Sequence, residues 1–182
     1  MKNKFFTGAC IVVLALFTSI NVNAQDFPGL DKSPMDAASF PSSYRVSDKA
    51  MKVTYSRPQL KERSLSSLAP NGKVWRTGAN ESPEITFYKD ATFGGQKVKA
   101  GTYALFTIPG EKEWVVILNG NLNQWGAYSY DKSKDVARAT AKVEKVSGKP
   151  VEAFAMVFTE ADGGAHLNMA WGDVKIAVPV KM

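Results

Sequence analysis

Histidine and cysteine are almost missing from this chain, with His166 and Cys10 the single examples among 182 residues. A zinc centre built on several imidazoles and thiolates is therefore excluded. Any Ser-His-Asp arrangement would have to use His166, which follows Gly163-Gly164-Ala165 and reads as an ordinary residue at a strand start. Runs of Lys and Arg interleaved with aromatics are also missing, so nucleic acid is not expected as a partner. Helical periodicity is scarce throughout, which argues against an all-α or α/β architecture.

The one continuous apolar run lies at the N-terminus. Lys2 and Lys4 precede an apolar segment from Phe5 to Ile20, and Val22-Asn23-Ala24 supplies small residues at the end. This is the pattern of a secretory signal peptide, with cleavage expected after Ala24. The run is too short, and too closely followed by polar sequence, to be read as a membrane span. Cys10 stands before most of the apolar run, which argues against lipoprotein acylation. Removing 24 of 182 residues leaves 158, enough for one well-buried core and short for two. Cleavage would also remove Cys10, leaving a thiol-free exported domain that relies on its apolar core. The formal charge of +6 falls to about +4 without Lys2 and Lys4, spread along the chain.

Residues 25–48 carry Pro28, Pro34 and Pro41 and read as an extended N-terminal segment, or as a belt packed along the domain. Residues 49–182 are then a single domain. Met51, Val53 and Tyr55 alternate with Lys52, Thr54 and Ser56, which is the period of a half-buried strand. Gln59 to Leu68 has the spacing of a short helix. Strands are expected at Glu84 to Tyr88 and Thr102 to Ile108, the latter apolar on both faces and therefore central. A partner follows at Trp114 to Leu118, with a glycine hairpin at Phe93-Gly94-Gly95-Gln96. Four more strands are read from Ala137, Val151, Ala165 and Val174 onward. Pro179 removes a ladder donor and assigns the last of them to a sheet edge. Many short strands joined by Gly and Pro turns predict an all-β fold, an antiparallel two-sheet β-sandwich, jelly-roll-like, with one or two short helices.

Two stretches concentrate functional groups. Trp75-Arg76-Thr77-Gly78-Ala79-Asn80-Glu81 places an indole, a guanidinium, a hydroxyl, an amide and a carboxylate around one glycine. Asn119 to Asp135 runs for seventeen residues without a strand signal, longer than most connections in compact domains, and ends in a short helix from about Lys132. Trp125, Tyr128 and Tyr130 in that loop offer flat rings with polar edges, and Arg57, Arg76, Asn80 and Glu81 offer directed hydrogen bonds. Together Arg57, Arg76, Asn80, Glu81, Trp125 and Tyr130 form a candidate site for a glycan or another polar small molecule. An alternative stands beside it: Trp75 and Trp125 belong to the core, and Arg76 pairs internally with Glu81 to brace a turn.

Asn119, Asn121 and Asn123 echo the start of a calcium loop, but the sixth and twelfth positions are Gln124 and Tyr130, so no metal is expected. No catalytic residue and no cofactor is assigned. A carboxylate-dependent glycoside hydrolase remains the alternative enzyme, using Glu81 with Asp131 or Asp135, or Glu84. A structural or interaction role in the cell envelope is the third reading. Asn80-Glu81-Ser82 matches the glycosylation acceptor pattern, which is too common to carry an assignment.

Four segments in order, Tyr55-Ser56-Arg57-Pro58, Gly72 to Glu81, Ala100 to Pro109 and Gln124 to Tyr128, resemble a bacterial domain-of-unknown-function family, number 2911. The resemblance runs from about Asp31 to near Val180. It implies an exported protein, periplasmic or extracellular, and no assigned activity. Gln59 to Arg63 departs from the family's pattern, which has a more basic, glycine-containing segment at this place.

Overall fold

A computed structural model describes residues 25–182. The expected signal peptide and its cleavage site at Ala24 lie outside the described residues. Two antiparallel sheets of six strands each face one another, as the strand pattern predicts. The first has the order β1 (Met35–Phe40), β2 (Met51–Ser56), β3 (Glu84–Phe87), β6 (Gly101–Ile108), β7 (Glu113–Asn119), β8 (Asp135–Lys142). The second has β10 (Val151–Ala161), β11 (Gly164–Gly172), β12 (Val174–Lys181), β4 (Ala91–Phe93), β5 (Gln96–Val98), with β9 (Glu144–Lys145) also on β12. After β3 the chain crosses to the second sheet for the β4–β5 hairpin and returns as β6 beside β3. The hairpin turns on Gly94 and Gly95 at φ 55° and 89°, values that glycine adopts without steric cost.

Alternation decides which side chains meet between the sheets. Met51, Val53, Ile85, Phe87, Leu105 and Leu118 from the first sheet pack with Phe154, Met156, Leu167, Trp171, Ile176 and Val178 from the second. All are buried, and each such side chain contributes about 1.5–3 kcal/mol by leaving water. β6 is central as expected, and its second apolar face has its own cover. Ala104, Phe106 and Ile117 form a smaller buried cluster on the opposite side of the first sheet, against Leu122, Ala127 and Tyr130.

The N-terminal segment contributes β1, an edge strand fully registered with β2. The helix read from Gln59 to Leu68 is confined to one turn, α1 (Leu65–Leu68), capped by Ser64, whose Oγ accepts from the Ser67 N–H at 3.2 Å. Tertiary pairing overrides the helical spacing ahead of it. Gln59 bridges Ala153, and the Leu60 N–H donates to the Glu152 carbonyl at 3.1 Å. The same edge of β10 is occupied further along by side chains: the Tyr55 hydroxyl accepts from the Met156 N–H at 2.9 Å and lies 3.2 Å from its carbonyl.

The edge position assigned to the last strand needs correction. β12 pairs with β11 along its whole length and has β9 against Val174 and Lys175 and β4 against Val180 and Lys181. Pro179 is tolerated because its polar side faces the stretch between those two short neighbours, where only its carbonyl is used, accepting from the Gly94 N–H at 2.9 Å.

Candidate functional site

The Trp75–Glu81 segment is built by its first residue. Trp75 exchanges two backbone hydrogen bonds with Thr107 of β6, at 2.7 and 2.9 Å. Its indole enters the core and stacks on Trp171 at 5.3 Å and 13°, with Trp114 edge-on at 6.1 Å. The chain then turns sharply. Thr77 is buried at φ 60°, an unusual value for a β-branched residue, and its hydroxyl donates to Thr107 Oγ1 at 3.1 Å. Gly78 lies against β2, where an added Cβ would come within 3.1 Å of the Ser56 carbonyl oxygen. Asn80, also at φ 60°, turns the chain back towards β3.

The long loop is tied to this turn by main-chain bonds. Ser82 N–H donates to Gln124 O at 2.8 Å, and Gly126 N–H donates to Asn80 O at 2.9 Å, so that Glu81 and Trp125 face one another as an isolated bridge. The neck of the loop is closed by buried Asn119, whose Nδ2 donates to Asp131 O at 2.9 Å and to Asp135 Oδ1 at 2.8 Å. Asp135 Oδ2 accepts from Tyr130 at 2.8 Å and from Arg138 at 2.6 Å. The Tyr130 ring lies edge-on to Phe106 at 5.2 Å, and burial, then the Asp135 hydrogen bond and charge, push its phenol up to about 12. Asp131 caps the single 3-10 turn Lys132–Lys134, and its carboxyl is held below the ordinary range by the Ser133 hydroxyl and N–H.

Pinned at neck and middle, the loop presents its two remaining rings to solvent. Trp125 is 62% exposed and Tyr128 85%. Gly126 between them has φ 69°, and an added Cβ would come within 2.7 Å of the Tyr128 ring. Next to Glu81 of the bridge, a cleft of about 200 Å³ opens between the turn, the loop and the first sheet. Thr54, Ser56, Glu81, Ser82, Glu84 and Asn123 line it together with Met35 and Tyr55. The Asn123 N–H donates to Glu84 Oε1 at 2.8 Å, and the buried Ser82 hydroxyl has no protein partner. Larger hollows exist, but their chemistry is already engaged or sparse. One of about 320 Å³ at the β4–β5 hairpin has surface lysines, of which Lys99 pairs with Asp90 at 2.7 Å. One of about 340 Å³ between β1 and β10 is spanned by the Arg57–Asp36 ion pair.

A family model described as "Protein of unknown function (DUF2911)" matches residues 33–180. The chain belongs to this family. The DUF2911 span takes in both sheets, the Trp75–Glu81 turn and the loop, stopping one residue before the end of β12. No curated protein and no solved structure matches the chain.

The six residues singled out from sequence divide within this DUF2911 fold. Glu81 and Trp125 are brought together, and Asn80 holds them through its carbonyl. Arg57 is turned aside, donating from Nε to Phe154 O at 3.0 Å and pairing with Asp36 at 3.1 Å, which ties β1 to β10. Tyr130 faces Phe106 and Asp135 under the loop. Arg76 does not line the cleft, and its Nε is buried without a partner. The alternative arrangement divides too: Trp75 is core, whereas Trp125 is exposed, and no Arg76–Glu81 ion pair forms among the described residues. Asn119, the first member of the calcium-like triplet, spends its amide on the loop neck. Thr54 and Ser82 were not singled out. Thr54 sits on the outward side of a legible strand, but its registration opposite Glu84 arises from strand pairing that no local pattern encodes.

Proposed function

We propose that the protein is a non-catalytic binder of a glycan, with one sugar residue seated in the cleft and its ring face against Trp125. The observation that carries this is the Glu81–Trp125 bridge, which ties the residue bearing an exposed indole to Glu81 of a pocket that also holds Thr54, Ser56, Glu84 and Asn123 beside Met35 and Tyr55. Sugars present apolar ring faces and polar edges, and this pairing of a flat aromatic with directed hydrogen-bonding groups suits both. The cleft is below the range of about 300–1,000 Å³ usual for pockets that swallow a drug-sized ligand, which favours one sugar unit of a longer chain.

Binding is favoured over hydrolysis by how the carboxylates are used. Asp135 is occupied by Asn119, Tyr130 and Arg138, and Asp131 caps the 3-10 turn, so neither is free to act with Glu81. Glu81 is exposed and Glu84 already accepts an N–H, so neither has the dry apolar surroundings that a proton-donating acid uses. Export belongs to the same proposal. The leader read at residues 1–24 would deliver the domain to the periplasm or the medium, where glycans are the abundant polar polymers.

Titration of tryptophan fluorescence with a panel of oligosaccharide trimers tests the binding reading. At least one trimer shifts the emission saturably, and Trp125→Ala abolishes the shift. Failure of every trimer to shift it sinks the reading, and turnover of aryl glycosides would move the assignment to the hydrolase. For export, mass spectrometry of the protein from the cell envelope or medium should find Gln25 at its N-terminus.

A further inference from the structure

Two exposed aromatic rings stand three positions apart on the long loop, and the sugar-binding reading uses only Trp125. The other, Tyr128, is 85% exposed and belongs to neither buried cluster, so burial does not account for its place. Its surroundings are nevertheless built. Ala127 before it packs against the Ala104, Phe106 and Ile117 cluster. Tyr130 beyond it lies edge-on to Phe106 and donates its N–H to the Ala127 carbonyl at 3.3 Å. Tyr128 is the crest of a turn anchored on both sides.

A second observation concerns the ring itself. Two of its carbons lie 2.7 and 2.9 Å from the point that a Cβ on Gly126 would occupy. The phenol ring is therefore folded back along the loop, into the space that the missing side chain leaves, at the residue directly after Trp125. Gly126 also has φ 69°, which a side chain disfavours, and its N–H is spent on the Asn80 carbonyl at 2.9 Å. The glycine thus serves twice, letting the loop turn and seating the ring. A tyrosine has few torsions to freeze, and fixing them beforehand lowers the cost of ordering the ring on a ligand. A ring held by the backbone yet open to solvent is a preorganised contact surface.

We infer that Tyr128 is a second sugar platform, taking the unit next to the one at Trp125, so that the ligand is a linear oligosaccharide recognised over at least two units. The inference rests on the sugar-binding reading above. Contact with one further aromatic face raises affinity about five- to tenfold. The contact is made by the ring and not by its hydroxyl, so phenylalanine can replace tyrosine here.

Calorimetry tests this with three series of increasing length: glucose, cellobiose and cellotriose; glucose, maltose and maltotriose; and N-acetylglucosamine with its dimer and trimer. In at least one series affinity rises about five- to tenfold from the single unit to the longer members. Tyr128→Ala removes the rise and leaves the single-unit affinity unaltered, whereas Tyr128→Phe keeps both. Gly126→Ala, which fills the seat and displaces an exposed ring that is free to swing away, acts as Tyr128→Ala does, and the two combined add nothing further. A rise unchanged in Tyr128→Ala or in Gly126→Ala, an equal loss for single units and trimers in Tyr128→Ala, or affinity independent of length in every series overturns the second platform while leaving sugar binding in place. Absence of binding by every member of every series overturns both readings.

Discussion

Asn119 Nδ2 lies 2.8 Å from Asp135 Oδ1, and this bond joins the two ends of the long loop. Its strength comes from burial, because Asn119 is wholly inaccessible and Asp135 is nearly so. The same aspartate collects Tyr130 and Arg138, so the loop is fastened at its neck before the Gln124–Gly126 segment meets the Asn80–Ser82 turn. The loop is therefore held by a polar network at its neck and by a main-chain bridge at its middle.

Asn119→Ala leaves the buried Asp135 carboxylate short of a donor and deletes two further hydrogen bonds of the neck. Stability should fall by about 1–3 kcal/mol, read from chemical denaturation. Amide exchange across residues 120–130 should accelerate more than exchange in β11. Equal acceleration in both would mean that the loop is not separately fastened.

The two tryptophans at either side of Glu81 should respond in opposite ways. Trp75→Ala empties the stack on Trp171 and should cost about 3–5 kcal/mol, a large fraction of the stability of a domain this size. Trp125→Ala removes an exposed ring and should change stability by no more than about 0.5 kcal/mol while abolishing glycan binding. A thermal midpoint unaltered by Trp75→Ala would contradict the core assignment.

Tyr130 supplies a pH signature. Its phenol is raised to about 12 in the folded protein from an ordinary value of about 10. A raised folded value means that folding favours the protonated phenol. The associated stability is fully present below about pH 10 and is lost as the pH rises through about 12. Ultraviolet titration of phenolate formation, compared between the parent protein and Tyr130→Phe, should assign the missing absorbance step to the region near pH 12. A missing step near pH 10 would place Tyr130 in solvent.

Arg57→Met preserves much of the side-chain volume but removes the link between Asp36 and the Phe154 carbonyl. A loss of about 1–2 kcal/mol is expected, discounted because the ion pair is partly exposed. Glycan affinity should be unaltered. A loss of affinity without a loss of stability would return Arg57 to the binding site.

Local patterns carried the strands well because their information is local. Alternation at Met51 to Ser56 and the glycine pair at Gly94-Gly95 each specify a geometry within a few residues. Placement of the last strand failed for the opposite reason. Pro179 announces a missing donor, but which side lacks a neighbour depends on where β4 and β9 end, information held some 85 and 35 residues away along the chain, respectively. The site divides in the same way. The density of groups from Trp75 to Glu81 was visible, whereas the outward turning of Trp125 and the inward turning of Tyr130 follow from the loop's attachment at Asn119 and Asn80. Arg57 looked available because its partners, Asp36 and Phe154, lie 21 and 97 residues away.

Tyr55 offers more than a core ring. The outward N–H and C=O groups of an edge strand are a template on which another chain can lay itself. Along β10, the 58–60 segment, Arg57 and the Tyr55 hydroxyl have already taken the polar groups of Glu152, Phe154 and Met156. A single phenol thus does for this sheet what a guard strand does elsewhere. Copies of the domain crowded together could not zip along that half of the border until Tyr55 and Arg57 had first released it.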